Sequence, residues 1–322
     1  MFALELGGED DDFAAVEAAT AASDVSVRAP GLATAESITD RSEHLAYTHS
    51  ASEVVAEAEP RVADAVDALS DVEFDRSGSV AVRAIDVRGE TDVDTQRAER
   101  ELGQVLVDRG FSVDLDSPDH EFRVLFADGS CLLGWLVAAS TRDYGTRQPG
   151  DRPFFQPGSM SPLLGRALAN LAGARDGATI LDPMCGTGGI LIEAGLVGSR
   201  VLGFDTQPKM VDGTRTNLEY FLDDGFLVGR ADARHQPVCD STAVDGVVFD
   251  APYGRQSKIS GDLRAVVEGA LSEAARVTNR AVVVGDRPWA RVAHATGWRT
   301  TAAFHRRVHR SLTRHIVVLD RD

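Results

Sequence analysis

The six residues Phe249-Asp250-Ala251-Pro252-Tyr253-Gly254 place a carboxylate, a rigid turn and an aromatic ring directly after an apolar run. An exocyclic amine of a nucleobase is a poor nucleophile because its lone pair is delocalised into the ring. The Asp250 carboxylate and the Ala251 carbonyl can each accept one of its N–H groups, which aims the lone pair at an electrophile. Pro252 would fix the backbone of the turn, and Tyr253 would stack on a base extruded from its helix. Taken alone, these residues also suit an ordinary Asx-Pro turn.

A glycine-rich segment, Asp182–Gly189, follows a short apolar run and precedes a helical pattern. Glycines let a backbone approach a ligand closely, and a helix start offers free N–H groups. A dinucleotide fingerprint would need a third glycine where this chain has Leu191, so a nicotinamide site does not match. An acidic residue before the glycines suits a cationic sulfonium better than a pyrophosphate. A tight turn without a ligand is the alternative. The candidate ligand-binding residues of this turn are Asp182, Pro183, Cys185, Gly186, Thr187 and Gly188.

Two further aspartates follow apolar runs. Asp205 ends the run Val201–Phe204, 23 residues after Asp182, where a carboxylate can accept both hydroxyls of an adenosine ribose. Asp232 follows a third apolar run near 226–228 and could accept a hydrogen bond from an adenine amine. Asp232 suits an ordinary loop aspartate equally well, whereas the spacing of Asp205 from the glycine turn favours a binding role.

The second half of the chain alternates between strand and helix patterns, which is typical of a doubly wound, mostly parallel α/β sheet with ligands at the carboxyl ends of its strands. The predicted strands are Ala178–Leu181, Arg200–Phe204, 226–228, Val244–Phe249, Ala281–Val284, Thr300–His305 and His315–Leu319. The predicted helices are Gly189–Val197, Pro208–Leu222 and Leu263–Val277.

The first half predicts an α+β domain with a small sheet. Helices are expected at Asp12–Ala22, at Ser50–Ser70 with an interruption at Pro60, and at Gln96–Arg109. Strands are expected at Ser79–Val87 and in a hairpin, Glu121–Ala127 with Cys131–Ala138, around Asp128-Gly129. Proline and glycine are frequent between Arg142 and Pro162, which suits a solvated linker. We therefore divide the chain into residues 1–145, a linker 146–162 and residues 163–322.

The composition is acidic: 50 Asp and Glu oppose 33 Lys and Arg, for a net charge of −17. Only Lys209 and Lys258 are lysines, a balance typical of proteins from salt-loaded cytosols. The expected result is that the protein folds and works at molar salt, where the Debye length is roughly 3 Å. Full activity in dilute buffer that declines in molar salt would contradict this.

The sequence suggests a reduced, cytoplasmic, metal-free protein. Its three cysteines are dispersed, and it has no apolar run long enough for a membrane span and no signal-peptide pattern.

Over nearly its whole length the sequence resembles THUMP-domain RNA methyltransferases, most closely the archaeal tRNA guanine-10 N2-methyltransferases. The similar segments are Leu6–Asp10, Arg152–Met160, Asp182–Gly189, Asp250–Arg255 and Val308–Arg314. The resemblance implies an N-terminal THUMP-containing RNA-binding domain and a Rossmann-like class I methyltransferase domain that uses S-adenosylmethionine, with Phe155 near the cofactor. The family pattern is Asp-Pro-Pro-Tyr, whereas this chain has Ala251. Because the proposed chemistry uses only the backbone carbonyl of residue 251, we expect the enzyme to remain active.

The segment from His305 to His315 is the densest basic stretch in this acidic chain. We expect phosphate contacts from it and from the arginines around the linker. Pairing of these cations with nearby carboxylates in a solvated strand is the alternative. The candidate RNA-binding residues are Arg142, Arg147, Arg152, Arg255, Arg307, Arg310 and Arg314.

Three functions remain open at the level of sequence. The first is a monomeric S-adenosylmethionine-dependent tRNA guanine-N2 methyltransferase that adds one or two methyl groups, with guanine 10 as the expected target. The second keeps the chemistry but acts on rRNA guanine or DNA adenine, since the same amine motif serves these substrates. The third is a catalytically silent RNA-binding protein that has kept the fold. The expected catalytic residues are Asp250, Ala251, Pro252 and Tyr253.

Overall fold

A computed structural model describes residues 1–240, 244–252, 262–309 and 312–321. These residues form two compact units, Met1–Thr141 and Arg142–Asp322. The segment 146–162, expected as a linker, therefore lies within the second unit. Within the described ranges, no helix combines the length and apolar character needed to cross a bilayer. Nor do the described His, Cys, Asp and Glu side chains form a group of three or more that could hold a metal ion.

The first unit contains ten strands and three α-helices. Its strands are β1 (Phe2–Leu6), β2 (Ala22–Ser23), β3 (Ser26–Ala29), β4 (Leu32–Ala35), β5 (Ser37–Ile38), β6 (Thr48–Ala58), β7 (Ser79–Asp86), β8 (Ser112–Val113), β9 (His120–Ala127) and β10 (Ser130–Ala139). Its helices are α1 (Asp11–Ala18), α2 (Val62–Asp71) and α3 (Thr95–Asp108). The apolar faces of α2 and α3 pack on one face of the sheet around Trp135 and Phe122.

Eight of these strands form one sheet in the order β3-β4-β1-β6-β10-β9-β7-β8. The sheet is thus larger than expected, because β1, β3, β4 and β8 were not recognised in the sequence. The helix predicted over Ser50–Ser70 is wrong in its first half. There, β6 lies between β1 and β10 and pairs with both, so tertiary pairing overrides the helical preference of its alanines and glutamates. The hairpin of β9 and β10 around Asp128-Gly129 is confirmed.

The described residues of the second unit form seven strands and five α-helices. Its strands are β11 (Thr179–Asp182), β12 (Arg200–Asp205), β13 (Phe226–Arg230), β14 (Gly246–Asp250), β15 (Arg280–Gly285), β16 (Arg299–His309) and β17 (Leu312–Asp320). Its helices are α4 (Pro162–Leu171), α5 (Gly189–Leu196), α6 (Pro208–Phe221), α7 (Leu263–Val277) and α8 (Ala290–Ala295). Every element expected in this half is present within a few residues of its expected bounds, and α4 and α8 are additional.

The strands of the second unit form one sheet in the order β13-β12-β11-β14-β15-β17-β16. Strands β11 to β15 run parallel, whereas β17 pairs antiparallel with both β15 and β16. The chain leaves β11 towards β12 and β13, then returns to build β14 and β15 on the other side. In such a doubly wound sheet, ligands bind outside the carboxyl ends of the strands where the strand order reverses. Here that point lies between β11 and β14.

Candidate active site

The glycine turn between β11 and α5 is held by one face of α6. Gly188 has φ of +76°, and a Cβ there would lie 2.8 Å from a methyl carbon of Thr214, so this position needs glycine. The Thr214 hydroxyl donates to the Gly186 carbonyl at 2.7 Å, and the buried Cys185 thiol points towards the same hydroxyl. Burial raises the pKa of that thiol well above its usual range. Cys185 is therefore a packed residue whose backbone shapes the turn.

Three carboxylates lie at the carboxyl ends of neighbouring strands, as the sequence predicted. Asp182 ends β11, Asp205 ends β12 and Asp250 ends β14. Burial raises the pKa of Asp182 well above its usual range; the nearby charges of Asp205 and Asp250 add to this, and a hydrogen bond from the Met184 N–H opposes it. Burial also raises the pKa of Asp205, although backbone N–H groups of Gln207 and Gly186 donate to it at 2.8 and 3.2 Å. Closely spaced, partly desolvated carboxylates favour a cation between them.

Asp232 follows β13 and is engaged by its own neighbour. Both of its carboxylate oxygens accept hydrogen bonds from the Arg234 guanidinium, at 3.0 and 2.6 Å. Hydrogen bonding to Arg234 lowers the pKa of Asp232 to about 2. Its predicted contact with an adenine amine remains a prediction, and it would have to compete with this ion pair.

Asp250 ends β14, with Ala251 and Pro252 directly after it, as the sequence predicted. Asp250 is partly exposed, with 22 % of its side chain accessible. Ala251 is buried, and its N–H donates to the Val284 carbonyl of β15 at 2.8 Å, which fixes the backbone that carries the expected acceptor carbonyl. Pro252 follows and is half-buried. Tyr253 lies outside the described residues, so its predicted stacking stays a prediction.

The segment at Phe154 is held against the glycine turn by a residue that sequence reasoning missed. The Asn217 side chain accepts from the Phe154 N–H at 2.8 Å. It also donates to the carbonyls of Phe154 and Thr187, both at 2.9 Å. The Phe154 ring lies over Gly213, where a Cβ would be only 2.1 Å from it. Phe155, the predicted cofactor neighbour, keeps 47 % of its surface exposed.

Arg147 and Arg152 do not lie on an RNA-binding surface, and their predicted phosphate contacts are wrong. Both are buried. Arg147 donates to the Glu193 carboxylate of α5 at 2.9 and 3.3 Å, and Arg166 pairs with the same carboxylate at 2.9 Å. Arg152 donates to backbone carbonyls of Arg147 and Met160. One signal in the sequence could have revealed this arrangement: Glu193 is the one charged residue in the apolar helix GILIEAGL, so it needed a buried partner.

The other predicted RNA contacts divide into three groups. Arg142 and Arg307 are exposed, as a phosphate contact requires. Arg255 and Arg310 lie outside the described residues. Arg314 is 5 % exposed and lies beside Asp250 at 3.7 Å, so a surface contact with phosphate is wrong for this residue also.

The geometry of this edge fits S-adenosylmethionine. The glycine turn is open to a close backbone approach, and Asp205 extends from the neighbouring strand where ribose hydroxyls would be accepted. The carboxylates of Asp182 and Asp250 supply negative potential suited to a sulfonium. Because burial raises the pKa of both Asp182 and Asp205, a bound cation would stabilise their ionised forms.

A sheet of this strand order, with a glycine turn and carboxylates at its switch point, is characteristic of a Rossmann-like methyltransferase. The match to a family model is direct: residues 149–316 fit the family described as "RMKL-like, methyltransferase domain". The chain belongs to this family, and S-adenosylmethionine is its methyl donor.

Two archaeal relatives carry the same name, "tRNA (guanine(10)-N2)-dimethyltransferase". That of Methanothermobacter thermautotrophicus is 42 % identical over 222 residues, 68 % of this chain and 64 % of the relative. That of Methanocaldococcus jannaschii is 34 % identical over 207 residues, 61 % of this chain and 59 % of the relative. The similarity thus spans about three-fifths of each relative. The crystal structure of TrmN from Thermus thermophilus covers all of this chain and 99 % of its own, with 23 % identity and a TM-score of 0.48.

Replacing Asp205 with alanine is expected to weaken S-adenosylmethionine binding about 10- to 100-fold, because charge-assisted hydrogen bonds to the ribose hydroxyls would be lost. Calorimetry of the full-length protein measures this directly. Asp212→Ala is the matched control, since that side chain is 76 % exposed on α6 and should leave the dissociation constant unchanged. An unaltered dissociation constant for Asp205→Ala would refute the ribose assignment.

Proposed function

We propose that this protein transfers methyl groups from S-adenosylmethionine to the exocyclic N2 of guanine in tRNA, with guanine 10 as the target. The observation that carries the proposal is the position of Asp250 and Ala251 at the end of β14, beside the glycine turn and the carboxylates that favour a sulfonium. The names of the archaeal relatives support guanine and tRNA as the substrate. They also favour two successive transfers to the same nitrogen.

S-adenosylmethionine supplies the methyl group to this reaction. Asp250 accepts one N–H of the guanine amine and the Ala251 carbonyl accepts the other, so that the nitrogen lone pair faces the methyl carbon. The hydrogen bond from Ala251 to Val284 keeps this carbonyl in place. The Asp250 carboxylate oxygen is then positioned to receive the proton that the methylated nitrogen releases. Positioning and charge complementarity account for most of the rate in this scheme.

For the unit Met1–Thr141 we propose RNA binding of the THUMP type. Support comes from its compactness as a separate unit and from the resemblance of the whole chain to THUMP-domain enzymes. Exposed Arg142 and Arg307 are the remaining described candidates for phosphate contacts in the second unit. An acidic protein needs such local contacts, since its net charge of −17 repels RNA.

A single experiment tests these proposals. The full chain and the fragment Arg142–Asp322 are each incubated with labelled S-adenosylmethionine and an unmodified tRNA transcript, at low and at molar salt, and the RNA is digested to nucleosides. We expect N2-methyl- and N2,N2-dimethylguanosine from the full chain and a much higher KM for tRNA from the fragment. Label in adenosine, or none with RNA still bound, would contradict the proposed chemistry. Equal activity of the fragment would remove the RNA-binding role from the first unit.

A further inference from the structure

The antiparallel strand β17 brings its first residues to the edge where the parallel strands end. Asp250 of β14 pairs with Val284 of β15, which in turn pairs with Ile316 of β17. Arg314 precedes Ile316 by two residues and pairs with Arg306 of β16. It therefore lies just past the last residue pair of β15 and β17, Gly285 with His315, on the same side as the end of β14. Only the reversed direction of β17 makes this possible, because a parallel strand would present its last residues here.

The Arg314 guanidinium contacts two parts of the site at once. Its Nη2 lies 3.7 Å from Oδ2 of Asp250. The same nitrogen donates to the Gly158 carbonyl at 3.1 Å. Gly158 belongs to the segment that begins at Phe154, which Asn217 fixes against the glycine turn. One side chain therefore joins the amine-binding carboxylate to the segment beside the cofactor turn.

Arg314 also contributes a positive charge to a site that is rich in carboxylates. The carboxylates of Asp182 and Asp205 lie on the neighbouring strands, and Asp182 and Asp250 interact through their charges. Among the described residues, Arg314 is the cation paired with Asp250. An opposite charge at this distance favours the ionised carboxylate. In that form both oxygens accept hydrogen bonds, which is what an N–H group requires of them.

We infer that Arg314 is a positioning residue for methyl transfer: it orients the Asp250 carboxylate and couples it to the segment Phe154–Gly158. This role rests on the proposed function, although the coupling itself does not. The rigid, planar guanidinium places Nη2 between the Asp250 carboxylate and the Gly158 carbonyl, whereas a lysine ammonium is a single point charge on a flexible stem. The identity of the residue, and not only its charge, therefore matters.

The test compares Arg314→Ala and Arg314→Lys with the control Arg299→Ala, which removes an exposed arginine at the other end of the same hairpin. We expect Arg314→Ala to lower kcat on tRNA about 100-fold, the loss typical of a misplaced reacting group. The KM for tRNA and the dissociation constant for S-adenosylmethionine should stay within about threefold of the wild-type values, a margin set by the context dependence of single contacts.

Arg314→Lys should recover only part of the rate, and added guanidinium ion should rescue Arg314→Ala. A raised KM with unchanged kcat would overturn the inference and restore a phosphate contact.

Hydrogen exchange supplies a readout that needs no substrate. Loss of the bond to the Gly158 carbonyl should speed amide exchange across residues 155–159 in Arg314→Ala but not in Arg299→Ala. Unchanged exchange there would overturn the coupling. If the wild-type protein methylates no guanine, the proposed function fails, while hydrogen exchange still decides whether Arg314 holds this segment.

Discussion

Asp250→Ala is expected to lower methyl transfer to tRNA about 100- to 1,000-fold or more while leaving S-adenosylmethionine affinity within about twofold, as for loss of one preorganised polar contact to the reacting group. Asp250 ends β14, whereas Asp205, the carboxylate expected to bind the ribose, ends β12, two strands away in the sheet. The loss should therefore fall on kcat. Single-turnover transfer from labelled cofactor, together with calorimetry, separates the two effects.

The control for this variant is Asp250→Asn. The amide keeps the size of the side chain and one acceptor oxygen but loses the charge that attracts the amine and its proton. Its rate should fall between those of the wild type and Asp250→Ala. If Asp250→Ala loses cofactor affinity in the same proportion as activity, Asp250 belongs to the cofactor site and the assigned role is wrong.

Glu193→Ala is expected to cost about 3–5 kcal/mol of the free energy of unfolding of the second unit, the penalty for breaking a buried ion pair. Glu193 is fully buried, and the side chains of its two partners, Arg147 and Arg166, are each only 4 % exposed. Removing the carboxylate leaves these guanidinium groups without their shared acceptor. Because Glu193 lies on α5, directly after the glycine turn, cofactor affinity should fall with stability.

Chemical denaturation measures this loss, followed through the fluorescence of Trp289 and Trp298, which are buried in the same unit. Asp143→Ala is the matched control. Asp143 pairs with the same Arg147 at 2.8 Å, but its side chain is 56 % exposed, so its removal should cost at most about 1 kcal/mol. Equal losses from the two variants would show that the buried pair contributes no more than a surface one.

The second unit was predicted from sequence more completely than the first, for a physical reason. Buried parallel strands are short apolar runs separated by helical patterns, and each pattern is local. The sheet of the first unit is mixed, with most neighbouring strands antiparallel and β7 parallel to β8 and β9. Within it, β6 has the alanines and glutamates of a helix. Its strand conformation depends on pairing with β1 and β10, which are distant in sequence.

The residues of the candidate site also differ in how well the sequence predicted them. Asp182, Asp205 and Asp250 could be placed because each ends a strand, and the carboxyl ends of parallel strands share one edge. The arginines could not, since charge alone does not show whether a side chain faces solvent or a buried carboxylate. Arg147 and Arg314 differ from Arg307 only in their surroundings. Asn217 was missed because the sequence of a helix does not indicate which distant backbone groups an asparagine side chain will bind.

The most direct measurement replaces guanine 10 of a tRNA substrate by inosine, which lacks only the exocyclic amine. If a carboxylate and a main-chain oxygen hold that nitrogen for attack, the inosine transcript binds with similar affinity and receives no methyl group at position 10, while the guanine transcript is fully modified. Equal incorporation of label at position 10 of the two transcripts would show that the methyl group goes to another atom and would contradict the account.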